Sequence, residues 1–296
     1  MMRVTQSMLT NNTLRNLSNN YSKMSNYMDQ LSSGKKISRP SDNPTIAVKA
    51  MGYQSQLMEM EQYNRNINEA HHWLDNTDAA LDESTKVLQR MRELAVWASN
   101  DTLNEQERKD ISVEAKALKE QLVTIGNTKV NGKYIFNGLD PSEEPIIKNG
   151  DEIISYPTDT KAVMFDVSAG VSLKVNVDSS EIFGKDAFDR IQGFIDELEA
   201  SPIDQTKIAA SISNIDENIN DVLSVRAELG ARMNRLDLIE NRRSSQELLT
   251  TDMKAKNENI DYEEIITKFM SQENVHRAAL ASSSKLIQQT LIDFLR

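Results

Sequence analysis

Residues 44–98 read PTIAVKAMGYQSQLMEMEQYNRNINEAHHWLDNTDAALDESTKVLQRMRELAVWA. Within them Ile46, Tyr53, Met60, Ile67, Leu74, Leu81, Leu88 and Ala95 return every seven residues without a break. A second apolar row drifts from Ala50 and Leu57 to Ala70, Met91 and Ala98. A seven-residue repeat keeps one helix face turned to a partner helix, so the stretch predicts a coiled-coil-like helix of roughly 80 Å. Asn43 followed by Pro44 marks its start, because Asn caps free amides and Pro presets φ at the first helical position. Gly52 is its weakest point.

Downstream, Thr102 and Glu105 have capping-box spacing, and Ile111, Ala115, Leu118, Leu122 and Ile125 continue at helical steps to Gly126. The expected result is a helical hairpin. The character then changes, since six of ten Gly and three of six Pro fall between 126 and 184. Asn131-Gly132 is a hairpin-turn signal. Val163, Phe165 and Val167, then Val171, Leu173, Val175 and Val177, alternate as half-buried strands do. Helix returns with Ala187, Phe188, Ile191, Phe194, Ile195 and Leu198 and is expected to stop near Pro202. It resumes at Ile208, Ile212, Ile215, Ile219 and Val222 and runs through Leu229, Met233 and Leu236. Arg226 sits where the repeat predicts an apolar residue, so the seam is expected to pass to Val225. A final helix over about 260–295 is expected after a charged connector.

Upstream, 34–43, GKKISRPSDN, is a polar connector, and before it Leu14, Leu17, Tyr21, Met24, Met28 and Leu31 recur at alternating steps of three and four. Ile287, Leu291, Phe294 and Leu295 form a second stripe at the other end. Neither neighbourhood can bury its stripe, so each needs the opposite terminus or another subunit. The predicted fold is mainly α: a long antiparallel helical coiled-coil bundle formed by both chain ends, with a small β-rich insertion in the middle. The expected divisions are 1–43, amphipathic helix and connector; 44–138, long helical hairpin plus β-hairpin; 139–183, β insertion; 184–250, C-terminal bundle helices; and 251–296, C-terminal amphipathic helix.

Composition narrows the function. The 296 residues are 39% hydrophobic but only 5% aromatic, with thirteen Met, a mixture suited to long packed helices. The net charge of -11 opposes the phosphate neutralisation of general nucleic-acid binding. Residues 1–45 carry +4 and 250–296 carry -1, which leaves -14 on the middle, as expected of a solvent-facing body with buried ends. Without Cys, no disulfide, thiolate metal site or thiol nucleophile exists. The N-terminus lacks the apolar core of a cleavable secretory signal, and no stretch has the length and apolarity of a membrane span, so if the protein leaves the cell it must use a route that does not cleave a Sec-type signal.

Motifs of catalysis are not found. His71, His72 and His276 lack HExxH or comparable spacing, and His71 with Asp75 at i and i+4 leaves a metal underligated. There is no phosphate loop and no GxSxG elbow. Lys35, Lys36 and Arg39 form the one local basic cluster, read as a connector or protein contact. The terminal stripes have Asn- and Ser-rich polar faces rather than Lys and Arg, which favours helix pairing over membrane insertion. The chain is therefore expected to be no enzyme, with no catalytic residue, cofactor or metal.

Four separated segments, LSSGKKISRPSDNP at 31–44, NTKVNGKYIFNG at 127–138, VRAELGARMNRLD at 225–237 and SSSKLIQQTLIDFL at 282–295, resemble motifs of bacterial flagellins and their relatives. They occur in the family's order and take in both helical ends. YIFNG, DNP at 42–44 and the terminal IDFLR resemble the family's hook-filament junction subunits more than its filament flagellins. The resemblance implies an extracellular structural protein, exported unfolded through the flagellar type III apparatus. It would form a ring of its own copies between the first hook-associated protein and flagellin. Its implied partner in the cytosol is an export chaperone on the apolar C-terminal stripe. Leu14, Leu17, Tyr21, Met24, Met28 and Leu31 would pair with Ile287, Leu291, Phe294 and Leu295 on assembly. Gly34, Asn43 and Pro44 would set the connector geometry, and Arg226, Gly230 and Arg232 would make subunit or intrachain contacts. The rival readings are filament flagellin itself and a secreted coiled-coil effector or tip protein of a type III system.

Overall fold

The computed structural model describes residues 6–100, 104–138, 142–150, 152–157, 161–201 and 204–293, with side chains described for the same residues apart from 6, 7, 9 and 285–293. Two compact units divide the chain. Unit 1 is Met1–Glu59 with Ser245–Arg296, and unit 2 is Met60–Ser244. The mainly α architecture predicted above is present: α1 (Gln6–Ser33), α2 (Pro44–Ala98), α3 (Glu105–Gly126), α4 (Ser179–Phe183), α5 (Lys185–Glu199), α6 (Gln205–Glu258) and α7 (Tyr262–Asp293).

Helix starts follow local chemistry. Asn43 Oδ1 accepts from the amides of Thr45 (3.1 Å) and Ile46 (3.3 Å), with Pro44 at the first helical position of α2. Asp261 does the same for Glu263 and Glu264 at the start of α7. At α3 the reciprocal box is Asn104 with Glu107 and not Thr102 with Glu105: each side chain accepts the other residue's amide at 2.9 Å. Thr102 lies outside the described residues. Both pairs have the same spacing, so spacing alone did not select between them.

In unit 2 the seven-residue row of α2 is the core. Ile67, Leu74, Leu81, Leu88 and Ala95 are at most 3% exposed. They pack with Ile111, Ala115 and Leu122 of α3, Ile191, Phe194 and Ile195 of α5, and Ile208, Ile215, Val222, Leu229 and Leu236 of α6. Val225 is buried and Arg226 is only partly so, which is the seam shift predicted at that point. Thr77 and Ser84 are buried in the same helix, and their hydroxyls donate to the carbonyls four residues back, so neither leaves an unpaired group.

The strands form three separate antiparallel hairpins: β1 (Lys129–Val130) with β2 (Lys133–Tyr134), β3 (Ile147–Asn149) with β4 (Glu152–Ser155), and β5 (Met164–Ser168) with β6 (Val171–Lys174). Asn131 and Gly132 have φ of 51° and 78°, the positive pair of the two-residue turn that their sequence predicts. Asn127 ties this region to α3, since its side chain donates to the carbonyl of Ile146 (2.8 Å) and accepts its amide (3.0 Å). Phe136 and Phe183 meet edge to face at 4.9 Å between ring centroids. The last five residues of the expected β insertion are the short α4.

The charged connector expected after Leu236 is helical instead, for α6 runs unbroken to Glu258. Its inward slots past Ile239 hold Arg243, Glu247, Thr250, Lys254 and Asn257, which are buried or partly buried. In unit 2 the Arg243 guanidinium donates to the carbonyl of Met60 at 2.7 Å and lies 4.8 Å over the Tyr63 ring. In unit 1 Asn257 donates to the carbonyl of Ile46 at 3.1 Å. Polar side chains thus make the helix contacts where the apolar pattern fades.

Candidate assembly interface

In unit 1, α1 and α7 pack antiparallel. The side of α1 turned to α7 is Thr13, Leu17, Asn20, Met24, Tyr27 and Leu31, all partly buried; on α7 it is Ile265, Phe269, Gln272, His276, Ala279 and Ser283. Both rows step four and three, the coiled-coil spacing. Gln272 donates to Asn20 Oδ1 at 3.0 Å across the seam, and the Tyr21 and His276 rings lie 6.3 Å apart. The predicted N-terminal stripe therefore splits. Leu17, Met24 and Leu31 face α7, whereas Leu14, Tyr21 and Met28 remain 59%, 63% and 55% exposed. On α7, Ile266, Met270, Val275 and Leu280 are exposed as well. Sequence reading missed Thr13, Asn20 and Gln272 as seam residues because they are polar; the alternating four-three step was the signal that held them.

Ile287 and Leu291 belong to the last turns of α7, and their side chains lie outside the described residues; Phe294 and Leu295 lie outside them entirely. Their pairing with α1 is an expectation that this geometry does not address.

The connector is clasped to the break between α6 and α7. Gly34 has φ 70°, which a side-chain-bearing residue rarely adopts, and an added Cβ would sit 2.8 Å from the Tyr262 hydroxyl. Lys36 donates its amide to the carbonyl of Glu258 (2.6 Å), and Ile260 donates to that of Gly34 (3.1 Å), making a two-residue antiparallel bridge. Lys35 pairs with the Glu258 carboxylate at 3.2 Å, and Lys36 Nζ donates to the carbonyl of Lys256 at 2.8 Å. Two members of the basic cluster thus bind their own chain. Asp42 accepts from the amides of Ser38 and Arg39, which folds the connector before the cap at Asn43.

The VRAELGARMNRLD motif lies in unit 2. Arg226 donates to both Asp78 oxygens (3.0 and 3.3 Å) and to Asp82 (2.9 Å) on α2. The hydrogen bond from Asp78 leads in holding the guanidinium above its ordinary pKa, and Asp82 is held below the usual carboxylate value first by Lys86 and further by Arg226. Arg232 donates to the carbonyl of Asn176 at 2.7 Å, tying α6 to the segment after β6. Asn176 in turn accepts the amide of Val163 and donates to the carbonyl of Lys161. These two arginines make intrachain contacts. Gly230 differs, because an added Cβ there meets nothing within 4 Å.

His71 does not converge with Asp75. Its Nε2 faces α6, 3.1 Å from Glu240 and 3.8 Å from Asp237. A cleft of about 750 Å³ opens between α3, α5 and the β3–β4 hairpin, with Tyr156 and Phe188 in its wall. Burial, then Asp189 and Glu152, pushes the Tyr156 phenol up. On its rim Lys116 meets Glu199 at 2.5 Å and Lys148 meets Glu120 at 3.6 Å, so these charges compensate within the chain.

Residues 4–140 match the bacterial flagellin N-terminal helical region. The chain is 25% identical to flagellar hook-associated protein 3 of Escherichia coli K12, over 94% of its own length and 95% of that protein's. It is 28% identical to flagellin of Bacillus subtilis 168, over 97% of each chain. Among solved structures it resembles one described as a flagellar hook-associated protein from Vibrio parahaemolyticus, with a TM-score of 0.69 and 25% identity over 74% of this chain and 100% of that one. This similarity takes in both terminal helices and the middle, and by it the chain is similar to bacterial flagellins and flagellar hook-associated proteins.

Proposed function

We propose that this chain is the subunit that joins the hook to the flagellin filament. The observation that carries the reading is the paired α1 and α7, whose outer flanks keep Leu14, Tyr21, Met28, Ile266 and Met270 in water. A half-buried seam with polar layers holds two long helices weakly, and burial of the flanks between copies supplies what the single chain lacks. The likeness over the full length of a solved hook-associated protein supports the junction role. The first hook-associated protein binds one side of a ring of copies, and flagellin binds the other. The chain leaves the cell unfolded, without a cleaved signal, after a cytosolic chaperone releases its C-terminal stripe. Residues 1–43 and 251–296 form the inner assembly layer, with Ile287, Leu291, Phe294 and Leu295 pairing there. Gly34, Asn43 and Pro44 fix the step to the outer layer, 44–250, from which the 139–183 segment is displayed outward.

The second reading, filament flagellin, has its own support in the match to the Bacillus subtilis protein. Deleting the gene separates them. Hooks that lack filaments, with flagellin shed as monomer, establish the junction; loss of the filament together with its flagellin band makes this chain the filament. Leu291→Asp is expected to leave unit 2 folded by circular dichroism and to abolish incorporation. Normal swimming by that variant would defeat the assembly role of the C-terminal stripe.

A further inference from the structure

We propose that His71, Asp237 and Glu240 form a divalent-cation site of the zinc type that staples α2 to α6. Their ligand atoms all lie within 4.8 Å of one another, and His71 Nε2 stands 3.1 Å from Glu240 and 3.8 Å from Asp237. An ion bound about 2.1 Å from each donor needs neighbouring donors about 3.4 Å apart in a tetrahedron, a value the two measured separations bracket. Asp237 and Glu240 are one turn apart on α6, and the imidazole comes from the facing helix. The donors thus converge from two elements, and a fourth position stays open to water.

Charge gives the second argument. Elsewhere on the α6 seams a fixed arginine stands between paired carboxylates: Arg226 between Asp78 and Asp82, and Arg190 between Glu217 and Asp221. Among the described residues, neither Asp237 nor Glu240 has a Lys or Arg within ion-pair distance, and His71 occupies the place the arginine holds elsewhere. An imidazole is a good ligand for a cation that offsets two carboxylates. His71 is also positioned, its side chain 23% exposed against the facing helix, so little rotamer freedom is lost on binding.

The test uses the untagged full-length chain, with Co2+ as spectroscopic probe and Zn2+ as competitor. One Co2+ per chain is expected, with the strong visible absorption of a four- or five-coordinate site, bleached by Zn2+. His71→Ala and Asp237→Asn, the latter an exposed change that leaves the fold intact, are each expected to weaken binding by roughly tenfold or more. His72→Ala, the exposed neighbour, retains it. Zn2+ should raise the thermal midpoint of the wild-type chain and not that of His71→Ala. Pale six-coordinate spectra, non-saturating uptake, or equal uptake by His71→Ala would show an adventitious ion only and overturn the site.

Discussion

Arg226 fills a slot in the α6 repeat that an apolar residue would ordinarily take, and its guanidinium reaches two carboxylates on α2. Arg226→Gln leaves Asp78 and Asp82 facing each other without that charge. The expected cost is a fall of about 2–4 °C in thermal midpoint at neutral pH. Asp82 has a folded pKa below 3.8, so its contribution is complete above the ordinary carboxylate range and is lost as pH falls through the lower folded value. Lys86 leads that lowering and stays in the variant, so only the smaller share due to Arg226 separates the two proteins; that share should hold from neutral pH to about pH 4 and close below it, as thermal scans across pH would show. Gly126 makes a different demand. A Cβ there would lie 2.4 Å from Ile146 Cδ1 and 3.3 Å from the Phe183 ring, at the point where α3 ends against the β region. Gly126→Ala is expected to destabilise unit 2 by about 1–3 kcal/mol in urea unfolding, and an unchanged midpoint would mean that the Ile146 side chain yields freely.

At the scale of elements, the long helices were legible where their inward rows are apolar and illegible where they are not. Ile67 to Ala95 announced α2 by periodicity alone. The run past Leu236 reads as a charged connector because Arg243, Glu247, Thr250, Lys254 and Asn257 occupy its inward slots, and a polar side chain signals burial only when its partner is known. Asn20 and Gln272 were missed for the same reason, being 252 positions apart in the chain. Helical glycines give a test at this scale. Gly52 and Gly230 have nothing within 4 Å of an added Cβ, so changing either to Ala should stabilise the isolated chain by about 0.5–1 kcal/mol. If Gly230→Ala also blocks incorporation into flagella while the monomer is stabilised, that bare helix surface touches another subunit. Full incorporation would confine Gly230 to the single chain.

For the whole molecule, the two units differ in how their helices are held. Unit 2 closes around a buried apolar core from Ile67 to Ile239, whereas α1 and α7 share a half-buried seam with polar layers. Hydrogen exchange on the monomer should therefore find the amides of 10–31 and 265–284 close to unprotected, and those of 67–95 exchanging only through global opening. Protection of the terminal helices in assembled flagella, and not in the monomer, is the expected difference; equal protection in both states would remove the assembly-coupled ordering. By itself the sequence determined that α1 to α3 are helices, the cap at Asn43, the turn at Asn131-Gly132 and the seam shift at Val225, since each rests on neighbours within a few turns. Only the tertiary structure decided that Leu17, Met24 and Leu31 face α7 while Leu14, Tyr21 and Met28 stay in water. It also turned Lys35 and Lys36 back onto Glu258 and Lys256 and set His71 against Asp237 and Glu240. Periodicity is a local property of the chain, but the partner of an amphipathic face or a polar side chain is chosen by segments more than a hundred residues away.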